Sequence, residues 1–543
     1  MLMPYFSPLA PSAFLLLSAL ILPFLTRSRR ATISQFGPLF LTVVTALIVA
    51  TTQLNSPDTI VQWQFSDFSP SYQLTAQLTP NQLPFLLVLV LLLFIIILAN
   101  IPLETSAPLG TRPNSSWFLL GSGASAMFVS TSPLALSYAV ILFDLWAAFY
   151  WFRQRQTDLG IARLFLTGLT VLSLILIMIQ PSDPLAVYLL TGTIWLRLIL
   201  YPLFELHGRQ ASDDGEVIYF GISVMVGLYL ALNLLNQPLP ASIRWLTIAI
   251  LLLNGIIIWL SAISDQTINK LSLIRIVVPL GGLTLLIVPA TLKLTIYALM
   301  LPLALAVLWI TANLGRVSSQ RLRYLPGAVA TISLIGLPST FGWLVLPPIY
   351  EMTSSNWGVP TLIGIILCLG LSFSYLVTYW QTLWFAPLNN ETEDVAENEA
   401  ENEDETESTP ADTELISNMA IGAIFISMIP LLPLIGQLGL SRLTGLTVPS
   451  LIIPTTETLV AVGLFWLLAA GAGYYRLDIV YRLNIPVETL NQILTGGWLT
   501  WLLSPLGRLD KFTLQLQVIL EGKHYMAWVF FIALVGGLTF LLQ

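Results

Sequence analysis

The residues able to do chemistry in this sequence are a few charges set inside long apolar stretches. Asp144 lies in YAVILFDLWAAFYWF (138–152), with apolar residues on both sides. A charge placed in a bilayer costs at least a few kcal/mol, so it marks a buried ion pair or a path for ions. Both readings stay open for Asp144. Arg197 lies in TIWLRLILYPLFELHG (193–208), five residues before Pro202. Proline has no backbone N–H to donate, so the helical ladder is interrupted there. Broken helices with freed carbonyls beside a charge recur along the ion paths of transporters. An Asp144–Arg197 pair would let both charges be buried. Glu205 and His207 follow in the same stretch, and either mark the membrane interface or extend the path. Lys270 and Arg275 open a later run, in ISDQTINKLSLIRIVVPLGG (263–282). Lys293 and Arg244 lie near the ends of their runs, where a long side chain can reach the interface. The residues placed along a candidate ion path are therefore Asp144, Arg197, Glu205, His207, Lys270 and Lys293.

A second interruption stands in IGLPSTFGW (335–343). Gly336, Pro338 and Gly342 weaken a helix, while Ser339 and Thr340 can re-satisfy freed backbone groups.

The elements that must position these groups follow from composition. Of 543 residues 56% are hydrophobic and 9% charged, against roughly 25% charged in a soluble domain. Mean hydropathy is +0.82. Such a chain is neither a soluble enzyme nor a nucleic-acid binder. Its apolar runs are continuous rather than alternating, which excludes an outer-membrane barrel. At about 20 residues per span, the runs predict an all-α polytopic membrane protein of about 14–16 transmembrane helices. The broken helices at Pro202 and Pro338 fall five runs apart. An odd offset reverses the direction of crossing, so the pattern fits two inverted five-helix repeats.

Residues 1–385 read as the transmembrane core of thirteen helices. Residues 386–414 form an acidic linker, expected to be disordered and cytoplasmic, since twelve carboxylates between Glu391 and Glu414 meet no base. Residues 415–456 hold a fourteenth helix and an outside loop. Residues 457–543 hold a helix pair around an amphipathic surface segment rich in tryptophan. Without the acidic linker the balance is 22 bases against 17 acids. Arg27, Arg29 and Arg30 follow the first run, which places the N-terminus outside by the positive-inside rule. The long stretch between Asn55 and Gln82 carries no base and reads as an outside loop.

Cys368 is the single cysteine and there are two histidines. No metal centre, redox cofactor or catalytic site is expected in this chain, and no phosphate-binding loop or nucleophile–His arrangement stands out.

Five segments together resemble a known family. IGLPSTFGW (335–343) is similar to a "GLPxTxGF" broken helix, and ISDQTINKLSLIRI (263–276) to an "xQxDIKRxLAYS" stretch. LILYPLFELH (198–207) is similar to "AVKTPLFPFH", and LFDLW (142–146) to "FWELM". YWQTLWFAP (379–387) resembles the end of a thirteenth helix. These belong to the antiporter-like membrane subunits of respiratory complex I, its photosynthetic relatives, membrane-bound hydrogenases and multi-subunit Mrp sodium/proton antiporters.

The resemblance implies a divergent antiporter-like subunit of a proton- or sodium-translocating complex. That complex would be an oxidoreductase of the NADH-quinone type or a cation/proton antiporter, in a bacterial plasma membrane or a thylakoid. Its partners would be other membrane subunits, lipid and the transported protons or sodium ions, with no nucleic acid. The family's glutamate on helix five falls on Asp144. Its lysine beside the helix-seven proline falls on Leu200, and its twelfth-helix charge on Leu346. Most of the lysine axis is therefore missing, because arginine holds its proton too tightly to stand in for lysine as a relay. A transport-silent structural or assembly subunit is one alternative reading, and an independent secondary transporter is another.

Overall fold

The computed structural model describes residues 7–26, 31–55, 61–63, 74–79, 82–100, 115–180, 183–205, 214–234, 240–264, 270–286, 301–311, 325–337, 340–385 and 455–475. The acidic linker, the fourteenth run, the amphipathic segment, His207, Lys293 and Pro338 lie outside these residues, as do the basic residues after the first run.

Helices dominate. The N-terminal part contains α1 (Ala10–Thr26), α2 (Ala31–Asn55), α3 (Leu83–Asn100), α4 (Ser115–Val129), α5 (Pro133–Arg153), α6 (Thr157–Ile179) and α7 (Pro184–Trp195). A π turn (Leu196–Leu200) leads into the one-turn α8 (Tyr201–Glu205). Then follow α9 (Asp214–Leu234), α10 (Ala241–Ser264), α11 (Lys270–Leu286), α12 (Leu301–Thr311) and α13 (Leu325–Ile335). The last three are α14 (Phe341–Trp357), α15 (Val359–Phe385) and α16 (Thr456–Tyr474). Seven of the described helices are long and apolar enough to cross a membrane, and seven shorter ones are apolar as well. Outward-facing side chains such as Phe24, Phe40, Phe165, Leu185 and Leu467 are exposed and apolar. A belt of this kind is solvated by lipid, not water. The chain is an integral multi-pass membrane protein.

The stretch between Asn55 and Gln82 is not all loop. Val61–Trp63 (β1) and Leu74–Ala76 (β2) form an antiparallel hairpin in the register Val61↔Ala76, Gln62↔Thr75 and Trp63↔Leu74. Its β2 edge bridges to Ser130 between α4 and α5. The hairpin thus covers the start of α5. Ser132 caps that helix by accepting from the Ala135 N–H, with Pro133 in the first turn, where no N–H is needed. Ser132 Oγ also accepts the Thr75 N–H at 3.2 Å.

The central group of helices is α4, α5, α6, α7 and α9, with α5 packed on both α4 and α6. Gly123 of α4 sets one approach. A Cβ there would lie 2.6 Å from Phe143 Cα, so only glycine lets the two backbones come this close.

Both sequence-predicted interruptions have structural counterparts. Ahead of Pro202, the Tyr201 N–H reaches back to the Leu196 carbonyl, one residue further than in an α-helix. The extra residue accommodates the proline and forms the π turn that carries Arg197. In the second case α13 ends at Ile335. Gly336 takes φ +71°, a left-handed conformation that costs other residues about 1–2 kcal/mol. The helix restarts at Phe341, with Gly342 so close to the Ser333 carbonyl that a side chain could not fit. Leu346 of α14 is fully buried and leans over Gly336.

Candidate functional site

Asp144 sits halfway along α5 and has no exposed surface. Two arginines hold it. Arg197, on the π turn, donates Nη1 to Asp144 Oδ1 at 2.9 Å and Nη2 to Oδ2. This two-pronged fit is what a planar guanidinium offers and an ammonium does not. Arg163 of α6 donates Nε to Oδ1 at 2.7 Å. The Thr167 hydroxyl lies 2.8 Å from Oδ2 and 2.8 Å from the Arg163 carbonyl, so its one hydrogen can serve either. Both carboxylate oxygens are therefore met from two sides. Thr170 Oγ1, 3.3 Å from Arg197 Nε, completes the far end of the cluster.

Arg163 is the charged member of this cluster that the sequence did not single out. It lies near the start of its apolar run, where a base passes for a loop charge. A signal was present, since Arg163, Thr167 and Thr170 recur at i, i+4 and i+7 and so share one helix face. The antiparallel packing of α6 on α5 turns that face onto Asp144. The Arg163 guanidinium also lies 5.2 Å from the rings of Phe143 and Tyr201 and 5.9 Å from that of Tyr219. Such ring faces attract a cation. They matter here because Arg163 Nη2 has no hydrogen-bond partner among the described residues.

The cluster continues toward the C-terminal end of α5. Arg163 Nη1 donates to the Tyr219 hydroxyl at 3.4 Å, and Tyr219 donates to Glu205 Oε1 at 2.5 Å. Trp151 Nε1 donates to the same oxygen at 2.8 Å. Glu205 is 1% exposed, so it is enclosed by protein. Tyr150, Trp151 and Tyr219 pack ring against ring around it, with Tyr150 and Tyr219 stacked at 5.1 Å. Four charged side chains are thus enclosed together: Asp144, Glu205, Arg163 and Arg197. Their formal charges cancel when both carboxyls are ionised, which limits the cost of burying any of them.

The remaining candidates are placed differently. Pro202 is buried at the foot of the π turn. Lys270 opens α11, and only its backbone is described. Gly336 and Gly342 form the second break, whose surroundings are apolar at Leu346 and Leu334. Arg244 lies with its guanidinium 5.1 Å from the Trp357 ring. Among the described residues no group of three histidine, cysteine or carboxylate side chains could hold a metal ion.

No protein-family model matches the chain, and no curated protein sequence matches it. Solved structures do. A chain of the Mrp complex from Dietzia sp. DQ12-45-1b superposes with a TM-score of 0.64 at 12% identity, covering 98% of this chain and 62% of its own. The chain therefore spans about 62% of the length of that Mrp chain. A chain of the membrane-bound sulfane sulfur reductase, an archaeal respiratory membrane complex, superposes with a TM-score of 0.58 at 15% identity, covering 84% of this chain and 99% of its own. At these identities the likeness is one of fold. The chain shares the fold of these membrane-complex chains.

Proposed function

We propose that this chain is a divergent antiporter-like subunit of a proton- or sodium-translocating membrane complex, and that the Asp144 cluster is its ion-handling centre. The observation that carries the proposal is the buried carboxylate gripped by two arginines beside a helix break. Polar groups of this kind inside a membrane are costly and are kept for use. Neither arginine can release a proton near neutral pH. The pair therefore acts as a fixed charge frame that sets the potential in the middle of the protein, and mobile protons or ions move on groups or water beside it. His207, Lys270 and Lys293 belong to this proposal as outer members of the path. Its partners would be further membrane subunits, in a bacterial plasma membrane or a thylakoid, with the N-terminus outside.

A specific observation favours a second reading. Leu346, where the family carries its twelfth-helix charge, is buried against Gly336. A path interrupted there would leave a transport-silent subunit that seals or braces an assembly.

Two measurements separate the readings. Native electrophoresis of the gently solubilised, tagged protein, with mass spectrometry of co-migrating chains, tests membership of a complex. Companion membrane subunits are the expected result, and a lone monomer or homodimer overturns it. The charge-balanced variant Asp144→Asn/Arg197→Gln then tests transport. Loss of ion flux with intact assembly supports the ion-handling centre. Normal flux in the assembled variant refutes it and leaves the bracing role.

A further inference from the structure

Asp144 and Glu205 are both buried carboxyls, yet they are held very differently. Asp144 is saturated: Arg163 Nε and Arg197 Nη1 meet Oδ1, and Arg197 Nη2 and Thr167 meet Oδ2. A proton arriving there would have to displace a charge-assisted hydrogen bond. Glu205 takes hydrogen bonds from Trp151 and Tyr219 on Oε1, and the Tyr201 hydroxyl also lies against its carboxyl group. Its Oε2 is buried and has no hydrogen-bond partner among the described residues. This oxygen can accept a proton without displacing a bond from an arginine, unlike either oxygen of Asp144.

The position suits exchange with water. Trp151 lies seven residues beyond Asp144 on α5, which is about 10 Å along the helix axis toward its C-terminal end. The next residues, 152–158, are exposed. Tyr201, one turn before Glu205, donates its hydroxyl to the Leu159 carbonyl at 2.9 Å, directly behind that exposed turn. Glu205 thus lies between the enclosed ion pair and a solvent-facing end of the bundle. Among the described residues, the titratable or charged groups around it are Tyr201 of α8, Tyr219 of α9, Arg163 of α6 and Tyr150 of α5, and α5 also contributes the Trp151 N–H.

We infer that Glu205 is the proton-exchanging carboxyl of this subunit. In the exchange, Oε2 forms an O–H bond with a proton given up by a hydronium ion on the side of residues 152–158, and later returns it. Uptake leaves Arg163 and Arg197 facing Asp144 alone, so the enclosed cluster gains one positive charge. Tyr219, bonded to both Glu205 and Arg163, transmits that change without carrying the proton further. The use of this exchange for transport rests on the antiporter-like reading above, whereas the exchange itself is a property of the isolated chain.

The test is infrared difference spectroscopy of the purified full chain through a pH titration, in H2O and in D2O. The expected result is a buried carboxylic acid carbonyl band that titrates reversibly and shifts in D2O. It should be lost in Glu205→Gln and kept in Asp144→Asn/Arg197→Gln. Size-exclusion chromatography identifies a Glu205→Gln protein that has lost its fold. In that event Glu205→Asp decides, because its titrating band must appear at a changed frequency. A wild-type protein without such a band, a band unchanged in Glu205→Gln, or one unmoved in Glu205→Asp overturns the inference. A titrating Glu205 in a chain that joins no complex would preserve the inference while sinking the complex-subunit reading.

Discussion

Asp144→Asn should be among the most damaging single changes in this protein, and its cost can be worked from the cluster. The carboxylate neutralises two guanidinium groups that have 2% side-chain exposure each. Asparagine keeps the shape but removes the charge. Its amide offers one acceptor oxygen, where the carboxylate met four donor contacts from Arg163, Arg197 and Thr167. Its NH2 group would face donors. Removing one partner of a buried pair typically costs about 3–5 kcal/mol, because the other charge is left buried and uncompensated. That is roughly two to four powers of ten in the folded-to-unfolded ratio. Equilibrium unfolding in mixed detergent micelles can read it. Asp144→Asn/Arg197→Gln removes one opposing charge as well, and should be less damaged than the sum of its single variants by about 1–3 kcal/mol. If Asp144→Asn unfolds within about 0.5 kcal/mol of wild type, or if the double variant is additive to that margin, the ion pair is not what organises this core.

Further expectations can be read by the same unfolding measurement. Gly123→Ala brings a Cβ to 2.6 Å from Phe143 Cα and should force α4 from α5 at a cost of about 1–3 kcal/mol. The same Ala placed at exposed-run Gly168, where a Cβ meets nothing within 4 Å, should not destabilise. Gly336→Ala must hold φ +71° and should lose about 1–2 kcal/mol. A wild-type melting curve for either Gly123→Ala or Gly336→Ala would contradict the close approach or the helix break. Ser132→Ala removes the cap of α5 and its bond to the hairpin. It should cost about 1 kcal/mol and raise hydrogen exchange at Ala135, and unchanged exchange there would remove the cap from the account.

The sequence alone determined the class of molecule and the places where charge meets membrane. Apolar runs of spanning length leave few choices, and a charge inside one is conspicuous because its burial is so costly. Asp144, Arg197 and the interruptions at Pro202 and Gly336 were legible for that reason, and so was the resemblance in fold. What surrounds those charges was decided by tertiary structure. Arg163 shares its sequence neighbourhood with ordinary run-end bases, and only the packing of α6 on α5 presents its face to Asp144. The partners of Glu205 were not legible either, since only the packing of α5 and α9 places Trp151 and Tyr219 against it. The hairpin over α5 was invisible as well, since three-residue strands carry too little pattern to separate from loop. Helix existence is written in local hydrophobicity. Which helix faces meet is a matter of rotation and depth, fixed by contacts such as Gly123 against Phe143, between residues far apart in the chain.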